Sequence, residues 1–192
     1  ENTRVRYPTE NGPWKQDKYT KNKKGHPEGS IFWGDTGRLR NGKGSPYEGG
    51  YRLPCIARWP GKVPAGRKSD AVFATIDFMP TFAKLCGFKI PDDRKIDGVD
   101  QTDLLLGKSE KGRDTFYFDR AGIRKGKWKY LKADAHFYGY AREDSRPKEE
   151  ELYNLEKDLE EKNNLAKKHP RILAELRKLT ESMPKDGPGG IH

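Results

Sequence analysis

The sequence predicts an α/β chain that ends in a small antiparallel sheet covered by a helix. Three observations support this class. Residues 53–61, "LPCIARWPG", form a short apolar run closed by Pro-Gly, as strands often are. The segment "MPTFAKLCG" repeats apolar residues at helical spacing, and "HPRILAELRKLTESM" is amphipathic with a proline at its start.

Charge and composition limit the functions that the chain can have. Its 192 residues carry a formal net charge of +10, with 35% charged and 32% hydrophobic residues. This charge suits a nucleic acid, a sulfated or phosphorylated glycan, or a membrane surface. The basic residues are scattered and no nucleic-acid-binding motif stands out, so a solvated basic surface is the other interpretation. No segment reaches membrane-spanning length.

The first ninety residues predict a strand, a long loop, a second strand and a helix. Residues 1–14 indicate a short extended segment closed by an Asn-Gly-Pro turn, and residues 15–50 a long polar loop. Residues 53–61 predict a buried strand. Cys55 and Cys86 lie in apolar surroundings and are expected to be buried structural thiols.

The helix is predicted in the second half of residues 69–88. Asp77 lies where a cap belongs, Pro80 suits the first turn, and Gly87 suits the end. Four apolar residues are predicted to share one face: Met79, Phe82, Ala83 and Cys86. The polar segment of residues 90–100 then predicts a subdomain boundary.

The last ninety residues predict an antiparallel sheet and its covering helix. "DTFYFDR", "GIRKGKWKYLKA" and "EELYNLE" have the composition of successive strands. Pro170 is expected near the start of the final helix. The apolar stripe of that helix is predicted to contain Ile172, Leu176, Leu179 and Met183.

These segments, in this order, resemble the C-terminal portion of the formylglycine-dependent, arylsulfatase-like sulfatases. "TENGPW" is similar to the metal-binding Ser/Thr-Asp-Asn-Gly turn of that family, and residues 37–61 to its Lys-Gly-x-x-x-Glu-Gly-Gly-x-Arg-x-Pro block. "TIDFMPTFAKLCG", "IDGVD", "IRKGKWKYL" and "ELYNLEKDLEEKNNLA" resemble later family segments. The resemblance covers about residues 1–180.

The resemblance implies an alkaline-phosphatase-like α/β/α core followed by a small sheet and a C-terminal helix. Residues 1–90 would be the C-terminal part of the catalytic domain, residues 91–184 a subdomain and residues 185–192 a flexible tail. Such enzymes hydrolyse aryl or carbohydrate sulfate esters with a formylglycine and a divalent cation, usually Ca²⁺ but also Mg²⁺. The family is mostly exported to the periplasm, the extracellular space or the lysosome.

The resemblance also implies roles for three residues. Asn11 and Glu10 occupy the positions of the metal-ligating Asn and Asp, although Glu10 could simply flank the turn. Lys43 occupies the position of the lysine that binds the sulfate during catalysis, the alternative being a solvated loop lysine. The glycines around it would let the backbone turn tightly. Glu48 and Arg52 are interpreted as a structural ion pair.

The chain also departs from the family pattern. The formylglycine motif Cys/Ser-x-Pro-x-Arg is absent from the sequence. "TRVRYP" places two arginines and a proline where a buried strand is expected. We therefore expect a sulfatase fragment that is inactive alone. The alternatives are a related phosphonate or phosphate monoester hydrolase, a non-catalytic module that binds sulfated glycans or other polyanions, and a gene remnant that does not fold alone.

Overall fold

The computed structural model describes residues 5–8, 35–135 and 146–183. In this part of the chain the elements are β1 (Val5–Pro8), α1 (Glu48–Tyr51), β2 (Cys55–Arg58), a 3₁₀ turn (Thr75–Asp77), α2 (Phe78–Cys86), α3 (Thr102–Leu105), β3 (Thr115–Tyr117), β4 (Gly122–Lys125), β5 (Trp128–Leu131), β6 (Glu151–Asn154) and α4 (Pro170–Glu181). The predicted class, with its small antiparallel sheet and C-terminal helix, is confirmed.

Two compact units interleave along the chain. As far as the structure describes them, the first contains residues 5–8 and 55–116, and the second contains residues 35–54, 117–135 and 146–183. The subdomain boundary proposed near residue 90 stays a prediction. The predicted tail at residues 185–192 lies outside the described residues.

In the first unit, β1 and β2 pair antiparallel, with Val5 opposite Arg58 and Pro8 opposite Cys55. The predicted extended segment is therefore confirmed at Val5–Pro8, and the strand after Pro54 is confirmed at Cys55–Arg58, whereas the predicted Asn-Gly-Pro turn lies outside the described residues. The prediction that this second strand is buried was wrong, since Ile56 is 63% exposed and Cys55 is exposed too. The apolar composition predicted the strand correctly but did not predict its exposure.

Helix α2 follows its sequence signals at both ends. Pro80 lies in its first turn and is buried, and Gly87 ends the helix with φ of 73°, a left-handed conformation that suits glycine. The predicted apolar face was partly wrong, because Met79 is 48% exposed and Cys86 is exposed. Both cysteines are thus surface groups rather than buried thiols.

Asp77 does not cap α2 with its side chain. Its fully buried carboxylate instead accepts hydrogen bonds from the backbone N–H groups of Ala74 (2.9 Å) and Val99 (2.8 Å). The guanidinium of Arg113 binds both carboxylate oxygens of Asp77 and also donates to the carbonyl of Asp97 at 2.9 Å. This carboxylate therefore joins the helix start to the irregular segment that follows the helix.

The second unit contains a sheet with strand order β3-β4-β5-β6. Residues 122–133, predicted as one strand, form the hairpin β4-β5, in which Gly126 has φ of 53°. The pairs Ile123–Tyr130 and Tyr130–Leu152 lie on one face, and the pairs Arg124–Lys129 and Lys129–Tyr153 lie on the other.

Helix α4 covers the first of these faces, as the amphipathic pattern predicted. Pro170 is its first residue, and Leu176 is 2% exposed. The core between helix and sheet consists of Ile123, Tyr130, Leu152, Ala166 and Leu176, with Ile172 and Leu179 packed against it. Within the described residues, no helix combines the length and the apolar character needed to cross a bilayer.

Candidate functional site

Lys43 lies in a tightly turned segment, residues 40–52, which we call the Lys43 loop. A hydrogen bond from Ser45 N to the carbonyl of Gly42 (3.2 Å) closes a turn around the lysine. Asn41 and Gly44 have φ of 57° and 83°, so the backbone is left-handed on both sides of it. Gly42 and Gly44 are buried whereas Lys43 is half-exposed. The loop therefore presents the lysine from an otherwise buried backbone.

The two glycines of "EGG" are required by the packing of the loop on itself. A Cβ atom at Gly49 would lie 2.2 Å from the carbonyl oxygen of Asn41, and one at Gly50 would lie 2.3 Å from that of Ser45. Gly49 N also donates to the carbonyl of Arg40 at 2.9 Å. The long polar loop predicted for residues 15–50 thus ends in one helical turn, α1, on which the backbone around Lys43 rests.

A buried ion cluster attaches α1 to the sheet. The Lys129 side chain, which is fully buried, lies 2.9 Å from Glu48 Oε1 and 2.8 Å from Glu161 Oε1. Its ammonium group also lies 4.1 Å from the centre of the Phe118 ring. Glu161 Oε2 accepts a hydrogen bond from Glu48 N at 2.7 Å. One lysine on β5 therefore pairs with two carboxylates, one of which begins α1.

The two carboxylates differ in their protonation behaviour. Burial alone would raise the pKa of Glu48, but attraction from Lys129, Arg124 and Arg52 lowers the pKa below its ordinary value. Burial raises the pKa of Glu161, because attraction from Lys129 does not offset desolvation and repulsion from Glu48. Glu48 is therefore the firmly ionised member of the pair.

Arg40 connects the start of the Lys43 loop to the same sheet face. Its Nη1 donates to Tyr153 OH at 2.8 Å and to the carbonyl of Glu161 at 2.9 Å. The guanidinium lies 3.7 Å from the centre of the Tyr47 ring, and Tyr47 OH donates to Glu151 at 2.9 Å. Burial would lower the pKa of Arg40, but the surrounding oxygens raise the pKa overall. The start and the middle of the loop are therefore tied to β6 and the segment after it.

The outcome for the residues proposed from the sequence is mixed. Lys43 lies on a fixed, half-exposed turn, whereas Glu10 and Asn11 lie outside the described residues. The Glu48–Arg52 ion pair is present at 3.9 Å, but Lys129 is the nearer cation of Glu48. Across residues 35–135 and 146–183, no group of three or more His, Cys, Asp or Glu side chains is arranged to hold a metal ion.

Sequence reasoning missed Lys129, Glu161 and Arg40. A signal for Lys129 was available in "KWKYL", because strand alternation puts this lysine on the same face as Leu131. A lysine on a buried face needs an anionic partner. Nothing in the sequence indicates that the partners lie 81 residues before it and 32 residues after it, at Glu48 and Glu161.

Comparison with known proteins gives consistent matches. A family model described as N-sulphoglucosamine sulphohydrolase, C-terminal, matches residues 42–186. An N-acetylgalactosamine-6-O-sulfatase of Bacteroides thetaiotaomicron is 34% identical over 194 residues, covering 95% of this chain and 36% of that protein. Human steryl-sulfatase is 44% identical over 91 residues, covering 47% of this chain and 16% of that protein.

A solved structure supports the same relationship. It comes from work on the metabolism of multiple glycosaminoglycans by Bacteroides thetaiotaomicron, and it superimposes with a TM-score of 0.73 at 32% identity. The superposition covers 94% of this chain and 38% of that one. The chain thus spans well under half the length of the relatives that it matches.

Proposed function

The chain belongs to the sulfatase family, and from this premise we propose that it forms the C-terminal part of a sulfuric ester hydrolase. In this proposal Lys43 binds the sulfate group of the substrate and takes part in catalysis. A lysine ammonium offsets the negative charge that moves onto the sulfate and leaving-group oxygens in the transition state. Two of the relatives have names that indicate their substrates, a carbohydrate sulfate for one and a steryl sulfate for the other.

The observation that carries the proposal is the fixed turn around Lys43. The turn rests on Gly49 and Gly50, and α1 is joined to the sheet through Glu48 and Lys129. A charge that must meet an oxyanion in one geometry benefits from a backbone that does not move. A solvated surface lysine would not need this support.

We propose that a divalent cation, Ca²⁺ or Mg²⁺, is held in part by Glu10 and Asn11. These side chains offer a carboxylate oxygen and an amide oxygen, the donors that both cations take. The bound cation would polarise the sulfate group as a Lewis acid. Because Cys/Ser-x-Pro-x-Arg is absent from the sequence, the formylglycine nucleophile would be supplied from outside these 192 residues. We expect this chain alone to leave aryl sulfates intact.

The test measures binding and turnover by the 192-residue chain. Calorimetry with N-acetylgalactosamine 6-sulfate should show binding that Lys43→Ala weakens about tenfold, the value of one charge-assisted hydrogen bond. Lys62→Ala removes an exposed lysine of the other unit and should change the affinity by less than about twofold. Equal effects of the two variants on the affinity would contradict the role of Lys43. Hydrolysis of 4-nitrophenyl sulfate by the chain alone would contradict the proposal that catalysis needs a nucleophile from outside these 192 residues.

The substrate class also needs a test against the phosphate-ester alternative. Phosphate and sulfate monoesters of one sugar have similar shapes but different charges. We expect the sulfate ester to compete for the Lys43 site at least as well as the phosphate ester. Much stronger competition by the phosphate ester would favour a phosphate monoester hydrolase instead.

A further inference from the structure

The sheet face that carries the Lys43 loop also places two cations side by side. Arg124 of β4 lies directly opposite Lys129 of β5 in the antiparallel register, so their side chains share this face. Like charges at such a position destabilise a sheet unless anions lie between or beside them. Lys129 meets that requirement through Glu48 and Glu161 in the interior. Arg124 is the member of the pair that remains half-exposed.

A third cation approaches the same point from the Lys43 loop. Arg52 follows α1, and its Nη1 lies 3.9 Å from Glu48 Oε2, the oxygen that does not face Lys129. Its side chain is 34% exposed. Lys129 and Arg52 therefore approach different oxygens of the Glu48 carboxylate, and Arg124 lies beside Lys129 on the same sheet face.

The surroundings of Arg124 disfavour its positive charge, chiefly through burial. Burial lowers the pKa of Arg124, attraction to Glu48 and to the exposed Glu156 raises it, and repulsion from Arg52 lowers it again, with a net lowering. The Nε–H of Arg124 donates to the carbonyl of Gly126 at 3.0 Å, which orients the guanidinium group. An oriented arginine whose charge is disfavoured by its surroundings gains from an added anion.

We propose that Arg52 and Arg124 form a second anion-binding subsite beside the Lys43 loop, which takes a carboxylate or sulfate group of a polyanionic saccharide. Arginine suits such groups because its planar guanidinium donates two parallel hydrogen bonds to an oxyanion. The proposal rests on the proposed function, since it gives the substrate a second negative group.

The backbone places Arg52 of this subsite near Lys43. A Cβ atom at Gly50 would lie 2.8 Å from the carbonyl oxygen of Gly42, the residue before Lys43, and Arg52 is two residues after Gly50. With about 3.5 Å of chain per residue, the Cα atoms of Lys43 and Arg52 are within about 14 Å of each other. Two long cationic side chains over this distance can contact neighbouring anionic groups of one oligosaccharide.

The experiment compares two ligands, N-acetylgalactosamine 6-sulfate and a chondroitin 6-sulfate tetrasaccharide, which carries additional sulfate and carboxylate groups. Arg124→Gln should weaken binding of the tetrasaccharide about tenfold and leave the monosaccharide unchanged within about twofold. Arg124→Lys should give an intermediate loss, because the ammonium lacks the planar fork.

Lys125→Gln is the matched control. Lys125 is the next residue on β4, faces the opposite side of the sheet, and pairs with Glu175 at 2.9 Å. Its substitution removes the same charge from the same strand and should leave both affinities unchanged within about twofold. Equal losses in the Arg124 and Lys125 variants would overturn the subsite, because they would reflect total charge alone.

The result also separates this inference from the proposed function. If Lys43→Ala weakens both ligands but Arg124→Gln weakens neither, the subsite is wrong and the role of Lys43 stands. If Lys43→Ala changes the affinity for neither ligand, the proposed function is contradicted, and so is the subsite that rests on it. Should Arg124→Gln not fold, the Arg124 Nε–H resonance of the wild-type chain gives a second test. It should shift on titration with the tetrasaccharide, and an unchanged resonance would overturn the subsite.

Discussion

At the scale of single residues, Lys129 is the centre of the buried ion cluster. Its side chain is fully buried and holds Glu48 and Glu161, both almost inaccessible to water, within 2.9 Å. Removing one partner of a buried charge cluster leaves the others without compensation, which costs more than the cluster contributes when intact. Lys129 therefore contributes to the support of the Lys43 loop although the two lysines are far apart in sequence.

We predict that Lys129→Met lowers the free energy of unfolding by about 3–5 kcal/mol, because two carboxylates are then left facing each other. Urea unfolding followed by tryptophan fluorescence measures the change. Lys127→Met, at an exposed position of the same hairpin, should change the stability by less than about 0.5 kcal/mol. The double variant Lys129→Met with Glu161→Gln should recover part of the loss, and no recovery would contradict the electrostatic explanation.

Glu161 also predicts a pH dependence of stability. Its pKa is raised in the folded state above the ordinary value of 4.5, so the folded chain keeps this proton while the unfolded chain releases it. The wild-type chain therefore loses stability as pH rises from about 4.5 through the folded pKa. Relative to the wild type, Glu161→Gln should gain stability over this window, as measured by urea unfolding at several pH values.

The neighbouring Glu160 provides a control of opposite sign. Its hydrogen bond to Lys162 lowers the pKa of Glu160, so its contribution is present above pH 4.5 and disappears as the pH falls. As the pH rises towards 4.5, the Glu160→Gln variant should therefore become less stable than the wild type. The same sign of change in both variants would refute the assignment of the raised pKa to Glu161.

At the scale of elements, the α1 turn and the glycines within it determine the shape of the Lys43 loop. A methyl group at Gly49 would overlap the carbonyl oxygens of Asn41 and Arg40, at 2.2 and 2.5 Å. These oxygens belong to the backbone and cannot rotate away without moving the residues next to Lys43. The loop and the helical turn therefore form one packing unit.

We predict that Gly49→Ala costs about 3 kcal/mol of stability through this overlap and also weakens sulfate-ester binding. Gly61→Ala is the comparison, since Gly61 has open space around it and only its positive φ of 73° opposes a side chain. That variant should cost about 1–2 kcal/mol and leave binding unchanged. Thermal unfolding and calorimetry measure the two effects, and equal loss of binding would contradict a specific role for α1.

The elements were predicted more accurately than their surroundings. Pro170 and Gly87 mark a helix start and a helix end through local backbone chemistry, so the sequence predicted these helix ends. The composition of "GIRKGKWKYL" likewise predicted strand structure in this segment. The exposure of Cys55 and Ile56 was not predicted, because an apolar strand has the same local sequence pattern whether or not another element covers it. Burial depends on residues distant in sequence.

The candidate site was predictable to the same limited extent. The resemblance to the family motif singled out Lys43, whose role stays a prediction, whereas the glycines beside it have a local reason in the tight turn. The cluster of Lys129, Glu48 and Glu161 joins three separate segments, and no local pattern encodes such a contact. The same limit applies to Asp77, which resembled a helix cap but binds Arg113.

At the scale of the whole molecule, the net charge of +10 leaves two explanations for any binding of sulfated sugars. A dedicated site depends on particular side chains, whereas a basic surface attracts any polyanion with a strong dependence on salt. The metal-binding proposal for Glu10 and Asn11 separates the two explanations.

We predict that Ca²⁺ raises the midpoint of thermal unfolding of the chain and that Asn11→Ala abolishes this shift, because ligands that bind the folded state stabilise it. Asn163→Ala, at an exposed position, should leave the shift intact. Polyanion binding that ignores Ca²⁺, Asn11 and Lys43 but falls steeply with salt would instead favour the non-catalytic basic module.

The attachment of Arg40 to the carbonyl of Glu161, 121 residues later in the chain, has a consequence for biosynthesis. On the ribosome, the segment that carries Lys43 emerges long before the residues that fix it, and such distant pairings form slowly. Nascent chains arrested before residue 161 would therefore display this lysine on an unsupported segment. Competence for anion recognition would therefore have to await synthesis of the segment that contains Glu161.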